Sequence, residues 1–232
     1  MGYYQTILES KLAGKKGLAI LIDPDKFDID TTTSFLKQIP KETTHLFVGG
    51  SSVANGETER TVEAIKKNSS LPVLLFPGDH SQITPKADAV LFLSLLSGRN
   101  SEYLVGQQVR SVSRLRQTDL EIIPTAYLLL DGGNESAVAR ISETLPMSQE
   151  EEEDIVQTAL AGQYMGAKLV YLEAGSGAKF PVKTTIIEAV KNAIEIPLVV
   201  GGGIKSQVQK LDAYTAGADM VVMGTVFEPK TK

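Results

Sequence analysis

The chain has no cysteine and no tryptophan, and its only histidines in 232 residues are His45 and His80. Without cysteine there can be no disulfide, no zinc–thiolate centre and no thiol nucleophile. Two histidines leave little material for a multi-histidine metal site. Positive charge is also in deficit: 23 Lys and Arg face 28 Asp and Glu, a net charge of −5. That balance argues against nucleic acid or an anionic membrane surface as the main partner. No apolar run reaches the ~20 residues of a spanning helix. The opening MGYYQTILESKLAGKKG lacks the basic start and apolar core of a secretory leader. A soluble, cytoplasmic protein is expected. What the chain does have is 42% hydrophobic and 22% charged residues, enough for a large core, in a length that α/β barrels commonly fill as one domain.

Short apolar runs of strand length recur along the chain, each followed by a helical pattern. After a lead-in helix at 3–13, with Tyr4, Ile7, Leu8 and Leu12 on one face, strands are expected at 18–22, 46–48, 73–76, 89–93, 122–130, 169–172, 197–200 and 220–223. Helices are expected from the Asp30/Thr31 region to Ile39, from Glu57 to Lys67, and over 101–116 with Leu104, Val109, Val112 and Leu115 inward. A further helix opens at the capping-box pattern Ser148-x-x-Glu151, and the last two span Val182–Ile194 and Ser206–Ala216. About a dozen residues separate the third and fourth strands, the lower limit for a crossover helix, so helix three should be rudimentary. Eight parallel strands with right-handed crossovers close a barrel. The expectation is a single (β/α)8 domain over residues 1–232, with helix three degenerate.

In such a barrel the strand C-termini open on one face, where the site must lie. The sixth strand delivers Glu173 into a loop of small residues, Ala174, Gly175, Ser176, Gly177 and Ala178, whose backbone a ligand can approach closely. The plainer alternative is a tight turn with a solvated Glu. Gly201-Gly202-Gly203 ends strand seven and Gly224-Thr225 ends strand eight, matching the common barrel phosphate site; the plainer alternative is tight turns alone. Asp23, in Asp23-Pro24-Asp25-Lys26 after strand one, stands where one carboxylate can hold Mg²⁺ together with waters and substrate phosphates, or where a turn caps the next helix. Lys26 could pair with a phosphate or with Asp25. Strand two contributes Ser51. His45 reads as structural, and His80 has no assigned role.

The segments LIDPDK (21–26), VGGSSV (48–53), LFLSLLSGRN (91–100), PTAYLLL (124–130), YLEAGSGA (171–178), VGGGI (200–204) and GADMVVMGT (217–225) together resemble the geranylgeranylglyceryl phosphate synthase family of TIM-barrel prenyltransferases. The resemblance covers most of the chain. It implies transfer of a prenyl group, most simply from geranylgeranyl diphosphate, to the C3 hydroxyl of sn-glycerol 1-phosphate, with loss of diphosphate and dependence on Mg²⁺. Matched motif by motif, the acceptor's phosphate would meet Gly202, Gly203, Gly224 and Thr225. Its glycerol would meet Tyr171, Leu172, Glu173, Ala174, Gly175, Ser176 and Gly177. The metal would sit on Asp23 and Ser51, and the family implies a homo-oligomer, a dimer or a hexamer. One branch of the family has Lys where this chain has Leu21, a shorter strand-six loop, and Asn in place of Thr225. The chain therefore resembles the other branch, in which Lys26 is the candidate for a phosphate contact.

The chemistry suits the residues independently. Glu173 is the best-placed acceptor for the attacking hydroxyl's proton, and Leu93, Leu95, Leu96 and Tyr127 are candidates for the wall of a prenyl cleft, though ordinary core packing would also explain them. Two rival functions stay open on the sequence: another phosphate-handling barrel enzyme, such as a sugar-phosphate isomerase using Asp23 and Glu173 as an acid–base pair, and a catalytically inactive phosphate-ligand binder. A Schiff-base aldolase is weaker, because Lys168 opens strand six at the wrong end.

Overall fold

A computed structural model of the chain describes residues 2–228. Eight parallel strands close on themselves in chain order: β1 (Gly17–Ile22), β2 (His45–Val48), β3 (Val73–Leu75), β4 (Ala89–Leu95), β5 (Glu121–Leu129), β6 (Leu169–Glu173), β7 (Leu198–Gly201) and β8 (Met220–Met223). The last strand pairs back to the first, Gly17 opposite Met220 and Ile20 opposite Met223. The helices are α1 (Tyr3–Leu12), α2 (Thr32–Gln38), α3 (Glu57–Asn68), α4 (Gln107–Leu115), α5 (Ala137–Ser142), α6 (Glu152–Tyr164), α7 (Thr184–Ala193) and α8 (Gln207–Thr215). The expected barrel is present. Between β3 and β4 there is only a single 3₁₀ turn, His80–Gln82, so helix three is reduced as expected.

Strand alternation sorts the apolar residues into two layers. Ala19, Phe47, Leu74, Leu91, Ile123, Leu169, Tyr171, Val199 and Val222 fill the barrel interior. Leu18, Ile20, Ile22, Leu46, Val48, Val170, Leu172, Val200 and Val221 face outward and pack with Val62, Ile65, Ile186, Ile187 and Val190 of the helices. Both faces are buried, which is why the strands read as continuous apolar runs. The same alternation turns Asp23, one step beyond β1, and Glu173, the end of β6, toward the barrel axis. At the opposite end α1 stoppers the floor. Its first N–H groups, on Tyr3 and Tyr4, donate to the Glu121 carboxylate, and Ile7 is buried in the inner layer.

Three local expectations are corrected, and one element is added. Leu12 is exposed and only Ile7 of α1 is fully buried; the last turn of the helix runs past the barrel floor. Val109 and Val112 are exposed, not inward. Helix α4 is preceded by a π-helical turn, Glu102–Gly106, and one extra residue in a turn rotates everything after it by about 100°. The Ser148-x-x-Glu151 pattern is not a capping box. Ser148 Oγ accepts from Glu150 N at 3.2 Å and the segment forms a turn, so α6 starts at Glu152 without a side-chain cap; its stabilisation comes from Glu152, Glu153 and Asp154 in the first turn. Finally, the long connection after β5 contains α5, capped by Ser136 Oγ accepting from Ala139 N at 3.1 Å.

Candidate active site

The strand C-termini surround a polar cleft of about 410 Å³ lined by Asp23, Lys26, Ser51, Phe76, Tyr127, Arg140, Tyr171, Glu173, Ser176, Gly202, Gly203, Gly224 and Thr225, among others. Most of the residues singled out from sequence thus converge on one space. Leu172, Ala174, Gly175 and Gly177 do not line it. Leu172 and Ala174 point into the outer layer, as strand alternation requires, so any contact from them would be through backbone. Gly175 serves the site indirectly: its N–H donates to Glu173 Oε1 at 2.8 Å.

Glu173 is 6% exposed at the end of β6, above a cluster of rings. Tyr171 lies 5.5 Å from Tyr127 and 5.2 Å from Phe76, centroid to centroid. Burial in these surroundings pushes the Glu173 carboxyl up to about 7, while the neighbouring Tyr171 hydroxyl and the Gly175 N–H hold the shift back. The Tyr171 hydroxyl nevertheless makes no bond of proper geometry and is a buried group without a partner. Burial first, and then the Glu173 charge, drive both Tyr171 and Tyr127 well above the usual phenol range. A carboxyl poised near neutrality, with one oxygen fixed by backbone, has the properties of a general base.

The glycines after β7 are required by the protein's own packing. A Cβ on Gly202, whose φ is +79°, would stand 2.4 Å from Glu173 Oε1, and one on Gly201 would stand 2.4 Å from the Tyr171 hydroxyl. Glycine is therefore dictated by the close approach of β7 to the carboxylate and its tyrosine. At Gly224 a Cβ would meet only Leu21, at 3.4 Å, an ordinary contact, so the protein's own packing does not require glycine there.

On the other side of the mouth, Asp23 accepts from Asp25 N at 3.2 Å and lies 3.3 Å from Lys26 Nζ. Lys26 also bonds Glu228 at 3.1 Å, so it pairs with Asp23 and Glu228 and not with Asp25. Asp25 instead accepts from Ala54 N at 3.0 Å, tying the loops after β1 and β2 together. Among the described residues no group of three or more His, Cys, Asp or Glu side chains forms a metal cage. Mg²⁺ held by one carboxylate, a hydroxyl and substrate phosphates needs none. The donors fit that mode. Asp23 is so near the β2 end that a Cβ on Gly50 would stand 2.9 Å from its carboxylate, and the hydroxyl of the adjacent Ser51 has no hydrogen-bond partner among the described residues.

A second cavity, about 100 Å³ and mostly apolar, adjoins the first; Gly50, Ser51, Phe76, Tyr127 and Val138 wall both. Its lining includes Ile83, Val90, Phe92, Leu93, Leu95 and Tyr103. It lies where a full third helix would have covered β3 and β4, so the short connection noticed in the sequence is what opens it. Of the four candidates for an apolar wall, Leu93, Leu95 and Tyr127 are there. Leu96 is not: it packs in the outer layer against the helices. Three lining residues were given no role from sequence. His80 lines this cavity, with its ring Nδ1 2.9 Å from Gln107 Oε1, and α5 brings Val138 and Arg140 to the polar cleft. Their signal, a short capped turn inside a long polar loop, was too brief for periodicity to register. His45, by contrast, opens β2 at the closed end of the barrel, buried and lowered by that burial to about 4, a structural placement.

Known proteins resemble this chain along nearly its whole length. Residues 11–232 match the model of the PcrB family. A protein of Zunongwangia profunda named geranylgeranylglyceryl phosphate synthase is 54% identical over 96% of this chain and 95% of its own length. One of the same name from Flavobacterium johnsoniae is 50% identical over 97% of this chain and 93% of its own. The crystal structure of (S)-3-O-geranylgeranylglyceryl phosphate synthase from Thermoplasma acidophilum, in complex with its substrate sn-glycerol-1-phosphate, superposes with a TM-score of 0.91 at 35% identity, covering 100% of this chain and 93% of that one. With a family match across nearly its whole length, close relatives at half identity and a closed barrel that superposes on a solved synthase, the chain belongs to the PcrB family, as an enzyme of the geranylgeranylglyceryl phosphate synthase type.

Proposed function

We propose that this enzyme joins the C3 hydroxyl of sn-glycerol 1-phosphate to the first carbon of a prenyl diphosphate, most simply geranylgeranyl diphosphate, and releases diphosphate. The observation that carries this reading is the contiguity of two unlike cavities: a polar cleft holding a near-neutral buried carboxyl opens beside an apolar pocket, with Phe76 and Tyr127 on the boundary. An isomerase acting on a small sugar phosphate would have no use for the second.

In this reading, backbone N–H groups around Gly202, Gly203, Gly224 and Thr225 bind the acceptor's phosphate. That places its glycerol end against β6, where Ser176 and Glu173 line the cleft. Glu173 accepts the C3 hydroxyl proton as the new C–O bond forms. The bond from the donor's first carbon to its diphosphate oxygen breaks, and the electron pair leaves with the diphosphate. Mg²⁺ held by Asp23 with Ser51 would supply electrostatic stabilisation of that leaving group. Phe76 and Tyr127 offer ring faces to the electron-poor allylic carbon, and the apolar pocket shields the chain from water. Among the described residues no helix is long and apolar enough to cross a membrane; we place the enzyme in the cytoplasm and propose that it self-associates, as its family resemblance implies, which light scattering tests.

The test offers purified protein, Mg²⁺ and sn-glycerol 1-phosphate a ladder of prenyl diphosphates and weighs the products. An ether product with loss of diphosphate, abolished by EDTA, is expected. Release of diphosphate without a joined product, or turnover of sugar phosphates alone, would overturn the proposal.

A further inference from the structure

Helix α5 lies after β5, half-way round the barrel from β1, and it touches both cavities. Ala137 and Arg140, three apart and so on one side of the helix, line the polar cleft. Ile141 and Ser142 line the apolar pocket, and Val138 lines both. Three cationic side chains line the polar cleft, and two are already engaged. Lys26 bonds Asp23 and Glu228. Lys205 Nζ donates to the Ala178 carbonyl at 2.7 Å. The Arg140 guanidinium, the third of them, has neither an ion pair nor a hydrogen bond among the described residues.

We infer that Arg140 is a binding residue for the donor's diphosphate, gripping it from the side of the cleft opposite Asp23 while the neighbouring residues of the same helix hold the start of the prenyl chain. The inference deepens the functional proposal above and rests on it. A planar guanidinium presents paired donors that match phosphate oxygens. Its position at the junction of the cavities is where the head of an amphipathic ligand must lie if its tail enters the pocket beside Val138 and Ile141. The acceptor's phosphate, by contrast, belongs to the glycine turns of β7 and β8, and Arg140 stands on a different part of the rim. The helix thus couples recognition of charge to recognition of the chain: a ligand with only one of the two uses half of it.

The test compares wild type with R140Q and R140K in steady-state kinetics with Mg²⁺, sn-glycerol 1-phosphate and geranylgeranyl diphosphate. Calorimetry with inorganic diphosphate and, separately, sn-glycerol 1-phosphate accompanies it. R140Q is expected to raise the donor KM and weaken inorganic diphosphate by about 10- to 100-fold, the range of one charge-assisted bond pair. The acceptor KM and affinity should stay within about twofold, and R140K should recover part of the loss. Since Arg140 is exposed, the variants should fold. An unchanged donor KM and diphosphate affinity in R140Q, or equal losses on donor and acceptor, would overturn the inference and leave the functional reading intact. If wild type binds inorganic diphosphate through Arg140 but transfers no prenyl group, the functional reading fails and the anion site stands.

Discussion

Replacing Glu173 by Gln separates chemistry from folding. A buried carboxyl raised from 4.5 to about 7 binds a proton more tightly in the folded chain than in the unfolded one. Between those values the folded state holds more protons, so stability falls as pH rises. At about 1.36 kcal/mol per pK unit, ionised Glu173 costs the fold on the order of 3 kcal/mol at pH 8 and nothing below about pH 4.5. Gln is isosteric and uncharged: its oxygen can still accept from Gly175 N, and its amide can donate to the unpartnered Tyr171 hydroxyl. E173Q should therefore match wild type in urea denaturation at pH 4.5 and exceed it by ~2–3 kcal/mol at pH 8. The same substitution should lower kcat by roughly 10²-fold or more, as expected for loss of a general base, and the acidic limb of the wild-type rate profile should fall off near pH 7. A stability difference independent of pH, or an E173Q variant less stable at pH 8, would refute the electrostatic argument. A rate loss below about threefold would remove Glu173 from the chemistry.

Other outcomes follow from the same structure. His45, lowered by burial to about 4, acts in the opposite sense: the unfolded chain holds the extra proton between about 4 and 6.5, so stability is lost as pH falls through that window. Wild-type stability should then be nearly flat over pH 4.5–6.5, with H45Q sloping down and E173Q sloping up as pH rises; two variants sloping the same way in denaturation curves would contradict this. Gly202→Ala, which places a Cβ 2.4 Å from Glu173 Oε1 at a φ of +79°, should cost ~1–3 kcal/mol in urea denaturation and most of the activity. Asp23→Asn should raise the Mg²⁺ concentration needed for half-maximal rate at least ~10-fold, while the thermal midpoint barely moves, because Lys26 keeps Glu228. Leu93→Trp, narrowing the apolar pocket, should raise KM for a twenty-carbon donor more than for a ten-carbon one, with the acceptor KM unchanged; equal effects on both donors would remove that pocket from chain binding.

The barrel was legible because most strands, buried on both faces, contain apolar runs such as Leu46-Phe47-Val48 or Met220-Val221-Val222-Met223. The same alternation gives both the inward aim of Glu173 and the outward aim of Leu172; matching by motif, which ignores alternation, had placed Leu172 at the glycerol. Helix faces were less secure. Counting by 3.6 from Leu104 fails once the turn at Glu102–Gly106 is π-helical, and nothing in EYLVG announces that turn. The capping pattern at Ser148 failed because Ser148 Oγ is taken by Glu150 N, a competition between local hydrogen bonds that spacing cannot decide. Arg140 was invisible for a different reason: it reaches the cleft only because six residues of a long polar connection coil into α5. The partners of Lys26 are set by a contact 202 residues away along the chain, Glu228, which sequence proximity could not suggest.

The account rests on backbone donors beyond β7 and β8 holding a phosphate while Glu173 faces the alcohol three carbons away. A crystal structure of this chain with sn-glycerol 1-phosphate tests that directly. The phosphate should lie against the N–H groups around Gly202, Gly203, Gly224 and Thr225, with the C3 hydroxyl within about 3.2 Å of a Glu173 oxygen. A phosphate bound elsewhere in the cleft, or a C3 hydroxyl turned away from Glu173, would contradict it.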